Sequence, residues 1–167
     1  SIDLEAIRTA ASAVGLAGEK TLLANLGSAN SLIRYWGTIG LGALSSKPSK
    51  ASLRALENAL LDSSPSVRIE AANALANDGF TDIALPILIN ELKHENLIVV
   101  THAARTLELL GTKAKGAIPG MRACLKRAHR IRPPELSPVI VLPGDQDMAM
   151  FVGFSCQAFL DQFKDKD

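Results

Sequence analysis

The sequence predicts an all-α fold, a right-handed α-α superhelix of about four helix pairs. The first observation behind this prediction is a repeated apolar signature. Val67, Ala71 and Leu75 of SVRIEAANAL have counterparts 34 positions earlier in LIRYWGTIGL and 32 positions later in IVVTHAARTL. The second is an intervening signature that recurs in step, made of Leu53, Leu56 and Leu60, then Leu85, Leu88 and Leu92, then Ile118, Met121 and Leu125. Two helical signatures in each period are typical of a helical solenoid.

Caps and breakers set the boundaries of the predicted helices. Gly15 ends the first helix, and Asn30-Ser31 caps the third. Pro65 stands where a first-turn proline is tolerated, with Ser64 before it as a cap, and Gly79 closes that helix. The predicted helices cover residues 2–14, 18–26, 33–44, 52–61, 66–77, 81–92 (with 82 as an alternative start) and 96–110, and a further helix carries the 118–125 signature.

Prolines mark the later part of the chain. Pro86 and Pro119, 33 positions apart, are expected near the starts of their helices, where a missing N–H costs little. The stretch IRPPELSPVIVLPGDQD contains four prolines and a glycine, and it cannot continue a helix. The sequence therefore predicts repeats over 1–130, a proline-rich insertion loop over 131–147, and a final helix of the same domain over 148–163.

Composition limits the classes of function. Apolar residues make up 47% of the 167 residues and aromatic residues only 4%, which suits closely stacked helices in one domain. The 18 basic and 17 acidic residues nearly balance, so no global field attracts nucleic acid. No apolar run approaches the roughly 18–20 residues that span a bilayer. The chain opens SIDLEAIR, without an initiator Met, and is interpreted as a piece of a longer protein.

Residues capable of chemistry do not form a recognisable catalytic pattern. His94, His102 and His129 are interpreted as solvated, because a closed metal site needs further ligands. Cys124 and Cys156 are interpreted as two buried free thiols, with a disulfide as the less favoured alternative. The sequence thus predicts no catalytic residue, no metal and no cofactor. Arg34 and Arg68 repeat 34 positions apart, and each is expected to tie an inter-helix turn, Arg68 through Asp62.

Two surfaces are candidates for binding. The first is the face of each second helix opposite the repeated signature, which lines the concave side of such a stack. It is unusually apolar, and an apolar strip of this kind suggests that something packs against it. Its residues are Tyr35, Thr38, Ile39, Ile69, Asn73 and Arg105, of which Tyr35, Ile39 and Ile69 are expected to be exposed.

The second candidate is a local basic cluster. Its members are Arg122, Lys126, Arg127, Arg130 and Arg132. Cations near a helix C-terminus ordinarily compensate the macrodipole. The alternative is contact with an anionic polymer, either a sulfated glycan or a nucleic acid. Nucleic acid is disfavoured, because no aromatic residues interleave with the charges.

The repeats resemble HEAT repeats, on the phrases SPSVRIEAANALANDG and ALPILINELKHENLIVVTHAARTLELLG. More specifically, LIRYWGTIGL, two such repeats and the late MFVGFSCQAFLDQF resemble the C-terminal region of bacterial sulfatases related to heparan and glucosamine N-sulfatases. HEAT-type bilin lyases and HEAT-like DNA-repair glycosylases are further resemblances, but the chain shows neither a chromophore site nor a basic concave face.

The sulfatase resemblance implies a parent enzyme with a formylglycine nucleophile and a calcium ion, exported to the periplasm or beyond. The formylglycine arises in a C/S-x-P-S-R motif, whereas Cys124 is followed by LKRA and Cys156 by QAFL. The resemblance therefore implies a non-catalytic scaffold that docks on the catalytic domain of its own parent, or on another protein. The alternative is an autonomous module that binds an anionic polymer through residues 122–132.

Overall fold

The computed structural model describes residues 3–44, 47–133, 135 and 145–164. The regular elements in those residues are all helical, which confirms the predicted all-α superhelical fold class. In chain order they are α1 (Leu4–Ser12), α2 (Glu19–Leu26), α3 (Ser31–Gly42), α4 (Lys50–Ala59), α5 (Pro65–Asn77), α6 (Thr81–Glu91), α7 (Leu97–Leu110), a 3₁₀ helix (Gly111–Ala117), α8 (Ile118–Ile131) and α9 (Asp145–Asp161).

The chain divides into two compact units, Ser1–Ala84 and Leu85–Asp167. In the first unit α3 is the central helix, because it packs against α1, α2 and α5. Helix α4 packs against α5 and also contacts α2. In the second unit α9 packs against both α7 and α8. The final helix is therefore the element that closes the core of its unit.

The caps predicted at Asn30-Ser31 and at Ser64 have different outcomes, and Asn96 caps a helix that the sequence predicted to begin at that residue. Asn30 Oδ1 accepts the N–H of Leu32 at 2.9 Å, and Asn96 makes the same bond to Ile98 at the start of α7. The expected Ser64 cap is different, since the Ser64 side chain makes no capping bond. Asp62 Oδ1 instead accepts the N–H of Ser64 at 2.8 Å. An acidic residue three positions before the first residue of α5 thus holds the turn that precedes the helix.

The two matching prolines occupy different helical positions. Pro119 lies in the first turn of α8, as predicted, but Pro86 lies inside α6, so the prediction for Pro86 is wrong. A proline at this point leaves the carbonyl of Asp82 without its helical donor. Asp82 and Pro86 are both exposed, so that carbonyl can be hydrated and the helix continues.

Glycine replaces alanine in the first copy of the repeated signature because α2 crosses close to α3. A Cβ added to Gly37 would lie 2.7 Å from Leu26 Cδ1 and 3.0 Å from the backbone oxygen of Leu22. A Cβ added to Gly40 would overlap the side chain of Leu22, which is fully buried. The next two repeats have Ala71 and Ala103 at the position of Gly37, and both alanines are fully buried.

The predicted insertion loop lies mostly outside the described residues. Helix α8 extends through Ile131, and α9 begins at Asp145, three residues before the predicted start. Residue 134 and residues 136–144 are outside the part of the chain that the structure describes. The division into repeats, loop and final helix therefore stays a prediction.

Candidate interaction surface

Arg34 joins two inter-helix turns of the first unit. Its Nε and Nη2 donate to Asp62 Oδ2 and Oδ1 at 2.7 and 2.8 Å, a bidentate pair between α3 and the turn before α5. Its Nη1 donates to the carbonyls of Ser28 and Ala29, both at 3.0 Å. Both side chains of the pair are largely buried, 15% and 12% exposed. A paired and nearly saturated guanidinium of this kind has a structural role.

Arg68 repeats part of this arrangement one repeat later. Its Nη1 donates to the carbonyl of Asp62 at 2.7 Å and to that of Ser63 at 3.3 Å. The structural role predicted for Arg68 through Asp62 is confirmed. This contact uses the backbone carbonyl of Asp62, whereas the Asp62 carboxylate accepts from Arg34.

Asp62→Asn should destabilise the first unit and weaken its acid sensitivity. The Arg34 hydrogen bonds lower the pKa of the Asp62 carboxyl, and the Ser64 N–H and two nearby charges add to this. A carboxyl whose pKa is lower in the folded than in the unfolded protein contributes its full stabilisation of the fold at pH values above the unfolded pKa, about 3.9. That stabilisation is lost as the pH falls through the pKa of the folded state.

We expect Asp62→Asn to cost about 1.5–3 kcal/mol at neutral pH, with the difference from the unsubstituted protein shrinking below about pH 4. Urea unfolding across pH 3–7 measures both effects. Glu57→Gln, at an exposed position on α4, is the matched control and should stay within about 0.5 kcal/mol. A constant difference at every pH would contradict the assigned role of the carboxylate.

A groove of about 220 Å³ runs between α3 and α5 in the first unit. Its α3 side is mostly apolar, and its α5 side carries a carboxylate and two carboxamides. The lining residues are Thr38, Ile39, Gly42, Ala43, Glu70, Asn73, Ala74 and Asn77. Asn73 Nδ2 donates to Glu70 Oε2 at 3.3 Å, and Asn77 Nδ2 donates to the backbone and side-chain oxygens of Asn73, both at 3.1 Å. The α5 side is therefore an ordered polar ladder.

The structure brings three of the predicted concave-face residues to the surface in or beside this groove, and of these Ile39 and Asn73 line it. Thr38 adjoins the groove but is fully buried, so it offers no side-chain surface to a partner. Tyr35 lies one turn before Ile39 on α3, and burial raises the pKa of its hydroxyl, with the charge of Glu70 adding to the effect. The Tyr35 ring packs edge-on against Trp36, with ring centroids 5.2 Å apart. Apolar and polar surface thus meet along one strip of the first unit.

Ile69 is not part of this surface, and the expectation that it is exposed is wrong. Ile69 and Thr38 both have 0% exposure, and the Thr38 hydroxyl donates to the Arg34 carbonyl at 2.8 Å. The cause is that α5 is enclosed on most sides. Its buried residues are Val67, Ile69, Ala71, Ala72, Ala74, Leu75 and Ala76. The run AANALA contains no charged residue, and all its residues except Leu75 are small. Such a run is the sequence signal for an enclosed helix.

Arg105 lies in the second unit, on α7. Its side chain is 55% exposed and pairs with Glu108, one turn later. Glu70 and Asn77, which complete the groove in the first unit, were not singled out by the sequence. Their spacing of seven residues around Asn73 on one helix places the three side chains on one face, and that pattern could have identified them.

The basic cluster separates into two groups. Arg127 donates to the carbonyls of Leu92 and His94 at 3.3 and 2.8 Å and so holds the turn that follows α6. Arg132, only 3% exposed, pairs with Asp147 at 2.9 Å, so the expectation of open anion contacts is wrong for both arginines. The exposed members are Arg122, Lys126 and Arg130, spaced four residues apart along α8.

Comparison with known proteins identifies the repeat type. The family model of HEAT repeats matches residues 53–132, slightly less than half of the chain. This segment is a HEAT-like repeat domain, and HEAT repeats act as non-catalytic scaffolds for protein interactions. No curated protein and no solved structure matches the chain. Within the described residues, no helix combines the length and apolar content that crossing a membrane requires.

Proposed function

We propose that this chain is an interaction module that docks a protein partner in the α3–α5 groove. The observation that carries the proposal is the pairing of an apolar wall, Ile39 with Tyr35 beside it, and a polar wall made of Glu70, Asn73 and Asn77. A polypeptide can contact both walls, because an apolar side chain packs against the first wall and backbone amides form hydrogen bonds with the second.

The proposed partner is the catalytic domain of a parent sulfatase, or otherwise another protein. What supports the sulfatase is the resemblance of LIRYWGTIGL and MFVGFSCQAFLDQF to the C-terminal region of that family. An exported parent would place this module in the periplasm or outside the cell. The sequence encoded upstream of Ser1 is the direct test, since a C/S-x-P-S-R motif there supports the parent and another kind of domain excludes it.

Docking itself is tested by binding in trans. We expect the separately expressed remainder of the parent to bind residues 1–167, and Asn77→Arg to weaken that binding at least tenfold in calorimetry. Asn77 is exposed at the last position of α5, where a cation suits the helix terminus, so the fold should persist. Asn90→Arg, exposed near the end of α6, is the matched control. Equal loss in both variants, or loss in neither, contradicts docking in the groove.

A second candidate function is contact with an anionic polymer through Arg122, Lys126 and Arg130. Their exposure on successive turns of α8 favours it. Contact with sulfates releases counterions, so binding to heparin should weaken steeply with salt. Reversing the three charges should remove heparin binding and leave docking in the groove intact. A chain that binds heparin equally well with and without these charges would exclude this surface.

A further inference from the structure

The two cysteines of the chain meet in the second unit. Cys124 and Cys156 are 32 residues apart in the sequence, on α8 and α9. These two helices pack against each other. Both thiols are enclosed, Cys124 at 4% exposure and Cys156 at 0%. Helix packing therefore places both thiols in the same small part of the core.

The contacts of Cys156 place its sulfur on the Cys124 face of α8. Cys156 Sγ lies 4.0 Å from the sulfur of Met121, which is one turn before Cys124 on the same side of the helix. The Met121 contact and the packing of α8 against α9 therefore place the Cys156 and Cys124 thiols in one small region of the core, between the same two helices.

The surroundings make the two thiols unequal. The hydrogen bond from Cys156 lowers the pKa of Cys124, and the charge of Arg127 acts in the same direction. The same hydrogen bond, together with burial, raises the pKa of Cys156. Arg127 is held in place by the carbonyls at the end of α6. Cys124 is therefore the thiol that ionises more readily, and the thiolate is the form that attacks a disulfide.

We propose that Cys124 and Cys156 are a modification site, which an external disulfide oxidant converts to an intramolecular disulfide as α9 packs onto α8 during folding. The Cys124 thiolate attacks one sulfur of the oxidant, whose S–S bond breaks and releases a first thiol. Cys156 then loses its proton and attacks the Cys124 sulfur of the mixed disulfide, releasing a second thiol. The protein loses two protons and two electrons, and the oxidant disulfide gains them.

The bond would link α8 to α9 across the proline-rich stretch. Closing a loop of this length restricts the unfolded chain, so the oxidised protein should be the more stable form. A loop of roughly 30 residues predicts a rise in melting temperature of about 10 °C for a chain of this size. The reduced protein should still fold, since both thiols fit the core as small apolar groups.

The experiment refolds residues 1–167 with oxidised or reduced glutathione, unfolds the product in urea with iodoacetamide, and measures the mass. We expect the oxidised sample to be monomeric, two hydrogen atoms lighter and unalkylated, and to lose its added thermal stability when reductant is present. Oxidation of a chain kept unfolded in urea should give mixed products, which separates pairing by the fold from random pairing.

Cys124→Ser and Cys156→Ser provide the controls. Either variant should melt at the same temperature with and without reductant. Because mass is read after unfolding, a variant of low stability remains informative. Full alkylation of both cysteines in the oxidised sample, or cross-links only between chains, would overturn the proposal.

Discussion

Ile69→Glu should leave the protein largely unfolded at room temperature. The Ile69 side chain is completely buried on α5, which packs against α3 and α4. A carboxylate at this fully buried position would lose its hydration. An unpaired buried charge belongs to the small class of substitutions that cost about 4–5 kcal/mol or more. That is comparable to the whole stability of many domains.

Far-UV circular dichroism and urea unfolding measure this effect. Ile98→Glu is the matched control, because Ile98 is 64% exposed in the first turn of α7, where an acidic residue is favoured. Ile69→Val, which only removes a methylene, should cost about 0.5–1.5 kcal/mol. A folded Ile69→Glu variant of normal stability would restore Ile69 to the exposed concave strip that its sequence position suggests.

The case of Ile69 shows where periodicity stops being informative. A helix that packs on one side carries one apolar stripe, and that stripe identified Val67, Ala71 and Leu75 correctly as buried. Ile69 lies on the opposite face, and a single stripe assigns that face to solvent. The structure buries it because α5 is enclosed, which depends on neighbours that the sequence of α5 does not contain.

Local signals were sufficient for most helix boundaries. The side-chain oxygens of Asn30 and Asn96 accept backbone N–H groups at the starts of α3 and α7. Gly79 and Gly111 follow the ends of α5 and α7 and have positive φ values, 97° and 57°, which glycine adopts readily after a helix. The 3₁₀ segment Gly111–Ala117 had no such signal. Local rules predicted helix ends well because caps act within a few residues.

The candidate surfaces were only partly predictable, for a different reason. The sequence located the cations of α8, but it could not separate Arg127, which binds backbone carbonyls in the turn after α6, from the exposed Lys126. The partners of Arg127 lie more than 30 residues away in sequence. The sequence identified Ile39 on the α3 side of the groove but did not single out Glu70 on the α5 side. The reason is that two helices form a groove, whereas each sequence signature describes one helix.

Leu75→Ala and Leu107→Ala should each cost about 2–5 kcal/mol, because each removes a fully buried leucine from the same position of the repeat. The transfer free energy of the lost side-chain atoms accounts for part of the cost, and the cavity left between packed helices accounts for the rest. Leu75 lies in the first compact unit and Leu107 in the second. The pair therefore tests the repeat register in both units with one kind of substitution.

Leu109→Ala is the control for the second unit, since Leu109 is 69% exposed on the same helix as Leu107. Leu61→Ala serves the first unit, with 84% exposure in the turn after α4. Both controls should stay within about 0.5 kcal/mol in urea unfolding. A cost below about 1 kcal/mol for both core variants would mean that the signatures do not mark equivalent positions. A large cost for only one would limit the repeat register to that unit, because a shared position must bury its leucine in every copy of the repeat.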